Sequence, residues 1–208
     1  MTRPAFRARA AGIVTSLLVA SSALTACSPD EEAAGGSSVE VVQDTAELRE
    51  LKAESGIEPC APGSGSGGEL PALTLPCLGG GADVDLSELT GPLVISLWAS
   101  NCAPCRDEMP ALQQFYEKHG ATVGLLGIDA EIDSAFGISF AQLVGATYPQ
   151  LADPAGDLFS QSELRVSQAL PQFILVDDVG DVVHQSAGGF DTLAEIERYV
   201  ATNLGVDL

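Results

Sequence analysis

At 208 residues with 46% hydrophobic side chains, the chain is long enough for one domain of ordinary size and apolar enough to bury a core, which excludes disorder throughout. Twenty-nine acidic side chains against nine basic ones give a net charge of −20. A field of that sign repels polyanions, so nucleic acid is excluded as a partner.

The extreme N-terminus runs against this acidity. Arg3, Arg7 and Arg9 precede an apolar run over residues 10–20 (AAGIVTSLLVA), which is shorter than the ~20 residues a transmembrane helix needs. Residues 1–26 therefore read as an export signal. The run is followed by Leu24-Thr25-Ala26-Cys27, an ending that resembles a bacterial lipoprotein signal. That resemblance implies cleavage before Cys27, acylation of Cys27 and an extracytoplasmic, lipid-anchored location at the cell membrane. A plain secretory signal with a chance cysteine, or a retained anchor, are the alternatives. Lipid contributes about 0.8 kcal/mol per buried methylene, so two or three chains hold a protein firmly. Residues 27–44 are polar, small and acidic and read as a flexible tether. Outside the cytoplasm disulfides persist, so the other cysteines need be neither reduced nor metal-bound.

Residues 45–69 form a second section. A short helix is expected over 45–55 (TAELRELKAES), with Leu48 and Leu51 on one side and Thr45 as cap, followed by a flexible Gly/Ser loop at 63–68. The main domain spans 70–208 and opens with a short edge strand at 71–76. Residues 93–98 (LVISLW) read as a buried strand and 103–119 as a helix through Met109, Leu112, Phe115 and Tyr116. Residues 122–128 read as a second buried strand and 134–144 as a helix. A short strand near 150–152 and a helix near 158–164 follow. Residues 172–176 and 181–185 form a hairpin across the turn Asp177-Asp178-Val179-Gly180. The last helix, 191–204, carries Leu193, Ile196, Tyr199 and Val200 as its apolar stripe and Asp191 as its cap. This order of elements implies an α/β domain, a central mixed sheet flanked by helices on both faces.

The chemistry sits between the first buried strand and the helix that follows it. Cys102 falls where the helix begins, so unpaired amides and the positive end of the helix dipole point at its sulfur and favour thiolate over thiol. Thiolate is the attacking species in disulfide exchange. Cys105 lies one turn further on the same face and can attack a mixed disulfide formed at Cys102. Pro104 falls in the first turn, where its missing N–H costs no helix bond. A zinc site would need two more ligands, and His119 and His184 are the only histidines, so no metal or other cofactor is expected. A purely structural disulfide or a copper site remains an alternative for the pair.

Trp98-Ala99-Ser100-x-Cys102-Ala103-Pro104-Cys105-Arg106-x-Glu108-x-Pro110 resembles the thioredoxin superfamily, and more narrowly the extracytoplasmic TlpA/ResA-like thiol–disulfide oxidoreductases. Landmarks further on agree in order: Gly127-Ile128-Asp129, Tyr148-Pro149-Gln150-Leu151-x-Asp153-Pro154, and Leu170-Pro171-Gln172-Phe173-Ile174-Leu175-Val176-Asp177. The resemblance implies a thioredoxin-like fold over residues 70–204 and an enzyme exchanging disulfides with protein substrates, more often as a reductase, for example in cytochrome c maturation. It also implies a membrane thiol–disulfide partner as electron donor or acceptor. Pro171 becomes the cis-proline beside the active site, exposing the backbone of Leu170 to an extended substrate segment. Glu108 becomes a proton relay to Cys105; the alternative is a solvated first-turn glutamate stabilised by the dipole. Trp98 is expected to pack beside the disulfide and, with Asn101 and Leu170, to shape the docking surface. Asn101 departs from the aromatic or small residue usual at its position, and Ser96 stands where thioredoxin keeps a buried aspartate.

Cys60 and Cys77 lie outside that pattern. In an exported chain they are expected to form a structural disulfide, and closing a loop of this length is worth about 3 kcal/mol in the chain-entropy model. The rival reading is a second redox relay. Two other activities on a related fold stay open for the whole chain. A peroxiredoxin-type peroxidase would want a threonine where Ala99 stands, and a metallochaperone would take up metal through the reduced cysteines.

Overall fold

The computed structural model describes residues 43–208. The expected export signal, Cys27 and nearly all of the expected tether lie outside them. The described chain runs α1 (Ala46–Ser55), β1 (Thr74–Leu75), β2 (Val84–Asp85), β3 (Leu93–Trp98), α2 (Ala103–His119), β4 (Gly124–Asp129), α3 (Ser134–Val144), β5 (Gln150–Ala152), β6 (Gln172–Val176), β7 (Val182–Ala187) and α4 (Leu193–Leu204), with 3-10 turns at Leu86–Glu88 and Asp157–Ser160. The five-stranded sheet has the order β5-β4-β3-β6-β7, while β1 and β2 form a separate antiparallel pair. β3 is central, parallel to β4 and antiparallel to β6.

Burial on both faces explains why β3 shows no polar alternation: all six of its residues are buried. Val94 and Trp98 face an apolar cluster with Met109, Leu112 and Phe115 of α2, Ile138 of α3, and Ile196 and Val200 of α4. Leu93, Ile95 and Leu97 face a second cluster built from Leu75 and Val84 of the small hairpin and from Leu86 and Leu158 of the 3-10 turns. The α-helices thus cover one face, and 3-10 turns with the hairpin cover the other, which corrects the expectation of α-helices on both faces. This is an α/β, thioredoxin-like arrangement, and it leaves the N-terminus of α2 at the C-terminal edge of β3.

Several boundaries differ from the expectation: the edge strand of 71–76 is only Thr74–Leu75, the strand of 122–128 runs Gly124–Asp129, and that of 181–185 runs Val182–Ala187. The final helix is capped by Thr192, whose hydroxyl accepts from the Glu195 amide, and Asp191 lies one residue too early. The segment expected as a helix near 158–164 is the short turn Asp157–Ser160, because the Asp153 carboxylate takes the amides of Asp157 and Leu158 and winds the chain tightly. β2 had no signal in the sequence, since two residues leave no period to read.

Gly137 shows how tight the interface between α3 and the sheet is. A Cβ there would collide with the carboxylate of Asp129, which is fully buried at the end of β4. Alanine usually stabilises a helix interior by up to ~1 kcal/mol over glycine, but overpacking costs about 1–3 kcal/mol. Gly137→Ala is therefore expected to destabilise the chain by about 1–2 kcal/mol, seen as a lower urea midpoint at unchanged m-value. A midpoint at or above that of the unaltered chain would refute the collision.

Candidate active site

β3 ends at Trp98, and the chain turns through residues 99–101 with the Cys102 amide donating to the Ala99 carbonyl at 3.1 Å. Cys102 is the N-cap of α2, in extended backbone, and Pro104 sits in the first turn. The Cys105 amide points at the Cys102 sulfur at 3.2 Å. The pair is a disulfide with Cα atoms 5.3 Å apart. Cys102 is half-buried and Cys105 wholly buried. Access therefore orders the chemistry: an incoming group meets Cys102 first. On reduction, the amide and the N-terminus of a 17-residue helix hold negative charge on that sulfur.

Glu108 lies a turn deeper on α2 and is wholly buried. Its Oε2 accepts from the Phe190 amide at 3.3 Å, and its Oε1 has no protein partner. Burial pushes its pKa up to about 8, opposed only by the Phe190 amide. Such a carboxyl has nearly the proton affinity of an ordinary thiol, about 8.5, so a proton passes between the two at little cost. The alternative of a solvated, dipole-stabilised glutamate is excluded by this burial.

The Leu170–Pro171 peptide is cis, and the Pro171 carbonyl accepts from the Gly188 amide at 3.0 Å, which ties it to the end of β7. Leu170 is half-buried and Asn101 exposed. Both line a cavity of about 480 Å³ together with Ala99, Glu131, Ile132 and Phe159, at the turn that leads into Cys102. One expectation needs correcting here. Trp98 has no exposed surface, so it cannot touch a docked partner. It packs in the same cluster as Cys102 and Cys105, tilted against Phe140 at 6.1 Å, and its Nε1 donates to Gln150 Oε1 at 2.9 Å. Gln150 was not singled out from the sequence: a glutamine in a two- or three-residue strand reads as exposed, yet it is fully buried.

Neither histidine approaches the pair. His119 bonds to Glu197 at 2.8 Å, and His184 stands edge-on to Tyr199. Cys60 and Cys77 form a second disulfide with Cα atoms 5.8 Å apart. It fastens the segment after α1 to the strand region before β2.

The model of the AhpC/TSA family matches residues 66–185, more than half of the chain. Thiol-disulfide oxidoreductase ResA of Halalkalibacterium halodurans is 26% identical over 111 residues, covering 52% of this chain and 61% of that protein. The protein of the same name from Bacillus thuringiensis is 27% identical over 122 residues, 58% of this chain and 68% of its own length. The chain thus spans somewhat under to just over two thirds of these curated relatives. Among solved structures, dsbF of Mycobacterium tuberculosis, seen in mixed oxidized and reduced forms, superposes with a TM-score of 0.57 at 25% identity, covering 66% of this chain and 98% of that one. The family match over residues 66–185 contains the Trp98–Pro110 motif, the cis-proline and the sheet as far as Gln185 in β7. The chain belongs to the AhpC/TSA family, and its relatives there are thiol–disulfide oxidoreductases of the ResA type.

Proposed function

We propose that the chain is an extracytoplasmic, membrane-tethered thiol–disulfide oxidoreductase that reduces disulfides in exported proteins. The observation that carries the reading is the convergence at one helix end of an accessible sulfur, a buried resolving sulfur and a buried carboxyl near thiol affinity. In the forward cycle, Cys102 thiolate attacks a substrate disulfide and forms a mixed disulfide, releasing one substrate sulfur as thiolate. Glu108, in the fraction that is ionised, takes the Cys105 proton, and Cys105 attacks the Cys102 sulfur. The second substrate sulfur leaves, and Cys102–Cys105 is formed. Two electrons pass from the enzyme dithiol to the substrate, and a membrane dithiol donor restores them. The cis Leu170–Pro171 turn and the cavity at Asn101 position the partner. The arginine-led apolar run, followed by Leu24-Thr25-Ala26-Cys27, supports the anchor, and the ResA-type relatives support the exchange chemistry.

Direction and location are tested together by fractionating cells that make the full chain and blocking thiols at the moment of lysis. The expected result is recovery with membranes and alkylation of both Cys102 and Cys105. Recovery in the soluble fraction would overturn the tether, and a fully oxidised pair would overturn the reductase direction. Ala99, in place of the threonine a peroxidase needs, argues against hydrogen peroxide as the substrate.

A further inference from the structure

The second disulfide lies against an unusual neighbour. Lys52, in the last turn of α1, is 8% exposed, and its ammonium lies 2.9 Å from Cys77 Sγ and 2.8 Å from the Gly80 carbonyl. No carboxylate lies within 4.0 Å of it among the described residues. The acidic group whose charge acts on it, Asp44, is itself paired with Arg49. Burial pulls the Lys52 pKa below its ordinary value, as expected for a cation stripped of water. The site is also built. Gly79, Gly80 and Gly81 all have positive φ, and a Cβ at Gly79 would press on Lys52 Cβ at 2.9 Å. That three-glycine loop is what lets backbone close over the ammonium.

A buried ammonium is poorly matched to a carbonyl and a neutral disulfide. It is well matched to a thiolate, because an opposite charge at contact distance in a dry site is worth far more than one in water. We infer that Cys60–Cys77 is a second reducible thiol–disulfide centre, in which Lys52 stabilises Cys77 as the leaving thiolate. Access fits this assignment. Both sulfurs' residues are buried, Cys60 at 6% exposure and Cys77 at 1%, but the residues flanking Cys60 (Glu58, Pro59, Ala61 and Pro62) are exposed, so a short local opening bares Cys60, whereas those after Cys77 (Leu78, Gly79 and Gly80) are buried. The thiolate of a dithiol reductant attacks Cys60 Sγ and forms a mixed disulfide. The Cys60–Cys77 bond breaks, and Cys77 leaves as a thiolate paired with the Lys52 ammonium. The reductant's second thiol, deprotonated by solvent, attacks its own mixed-disulfide sulfur. Cys60 is released and takes a proton from water. Two electrons enter the pair, and the reductant becomes a disulfide.

The consequence reaches toward the first centre. Cys60 Sγ lies 3.1 Å from the Gln150 carbonyl, which also accepts the Leu78 amide at 2.9 Å, and the Gln150 side chain holds Trp98. Opening the second pair loosens the strand that supports the indole packed beside Cys102 and Cys105.

The test uses the full native chain, dithiothreitol as reductant, and peptide-resolved differential alkylation, so that the two pairs are scored separately and an inert Cys102–Cys105 pair would leave the result readable. Cys60–Cys77 is expected to open without denaturant. Lys52→Met is expected to slow that step at least tenfold and to shift its equilibrium with glutathione tenfold or more toward the disulfide, following the leaving-group dependence of exchange. Lys52→Arg, which keeps the charge, is expected to restore most of both. Should methionine prevent folding, Lys52→Gln replaces it with the same expectation. A pair that opens only in denaturant, a neutral variant that matches the unaltered chain, or an arginine variant as slow as the methionine one would each overturn the inference.

Discussion

A Cys105→Ser chain is expected to accumulate covalently joined to partner proteins through Cys102, with turnover of a protein disulfide reduced at least ~10³-fold. The argument is one of access and proximity. Cys102 meets the substrate while Cys105, with no exposed surface, can attack only its neighbour one turn away. Held at that distance, the resolving sulfur acts at an effective concentration that free thiols cannot approach, with intramolecular reactions reaching ~10⁵ M or more. Removing it stalls the cycle at the mixed disulfide. Serine fits the buried Cys105 site with little change in volume, so the fold should survive. Non-reducing electrophoresis of quenched cells reads the result directly, and the Cys102→Ser/Cys105→Ser double variant supplies the baseline. Absence of any band above that baseline would remove the exchange mechanism. Adducts at Cys105 in a Cys102→Ser chain as abundant as those at Cys102 would overturn the order of attack.

What the sequence disclosed and what it hid follow a physical line. The helices 103–119 and 134–144 and the strand 93–98 were legible to the residue because each is long enough for its period, or for an unbroken apolar run, to stand out. The cysteine pair was legible because spacing alone places both sulfurs on one turn. Glu108 was legible as a neighbour of the cysteines and as a candidate relay, but the completeness of its burial was not, since that involves Phe190, after β7 and 82 residues away. Gln150 and Lys52 were hidden for the same reason. A polar side chain reads as exposed until tertiary contacts show what covers it. The Cys77-Leu78-Gly79-Gly80-Gly81 stretch looked like a loop, and nothing local revealed the ammonium it encloses.

Glu108→Gln is expected to flatten the pH dependence of stability of the oxidised chain. In the folded chain the carboxyl is held near a pKa of about 8, against 4.5 for an ordinary glutamate, because it is desolvated. Between these values the folded state keeps a proton that the unfolded state releases, so stability falls as pH rises. The contribution is fully present below pH 4.5 and is lost by the time pH passes 8. Across that window the loss is on the order of 5 kcal/mol. Glutamine carries the neutral shape of the acid at every pH, so the variant should match the unaltered chain near pH 5 and exceed it by several kcal/mol near pH 9, in urea titrations at fixed ionic strength. The same substitution separates stability from catalysis. Without a group to accept the Cys105 proton, resolution of the mixed disulfide should slow by about 10²-fold at neutral pH and recover as solvent hydroxide takes over at higher pH. Parallel stability curves for the two chains would show that Glu108 is ionised in the folded state, and the proton relay would lose its basis. A variant more stable at pH 9 yet unchanged in resolution rate would leave Glu108 as a buried acid with no part in the exchange.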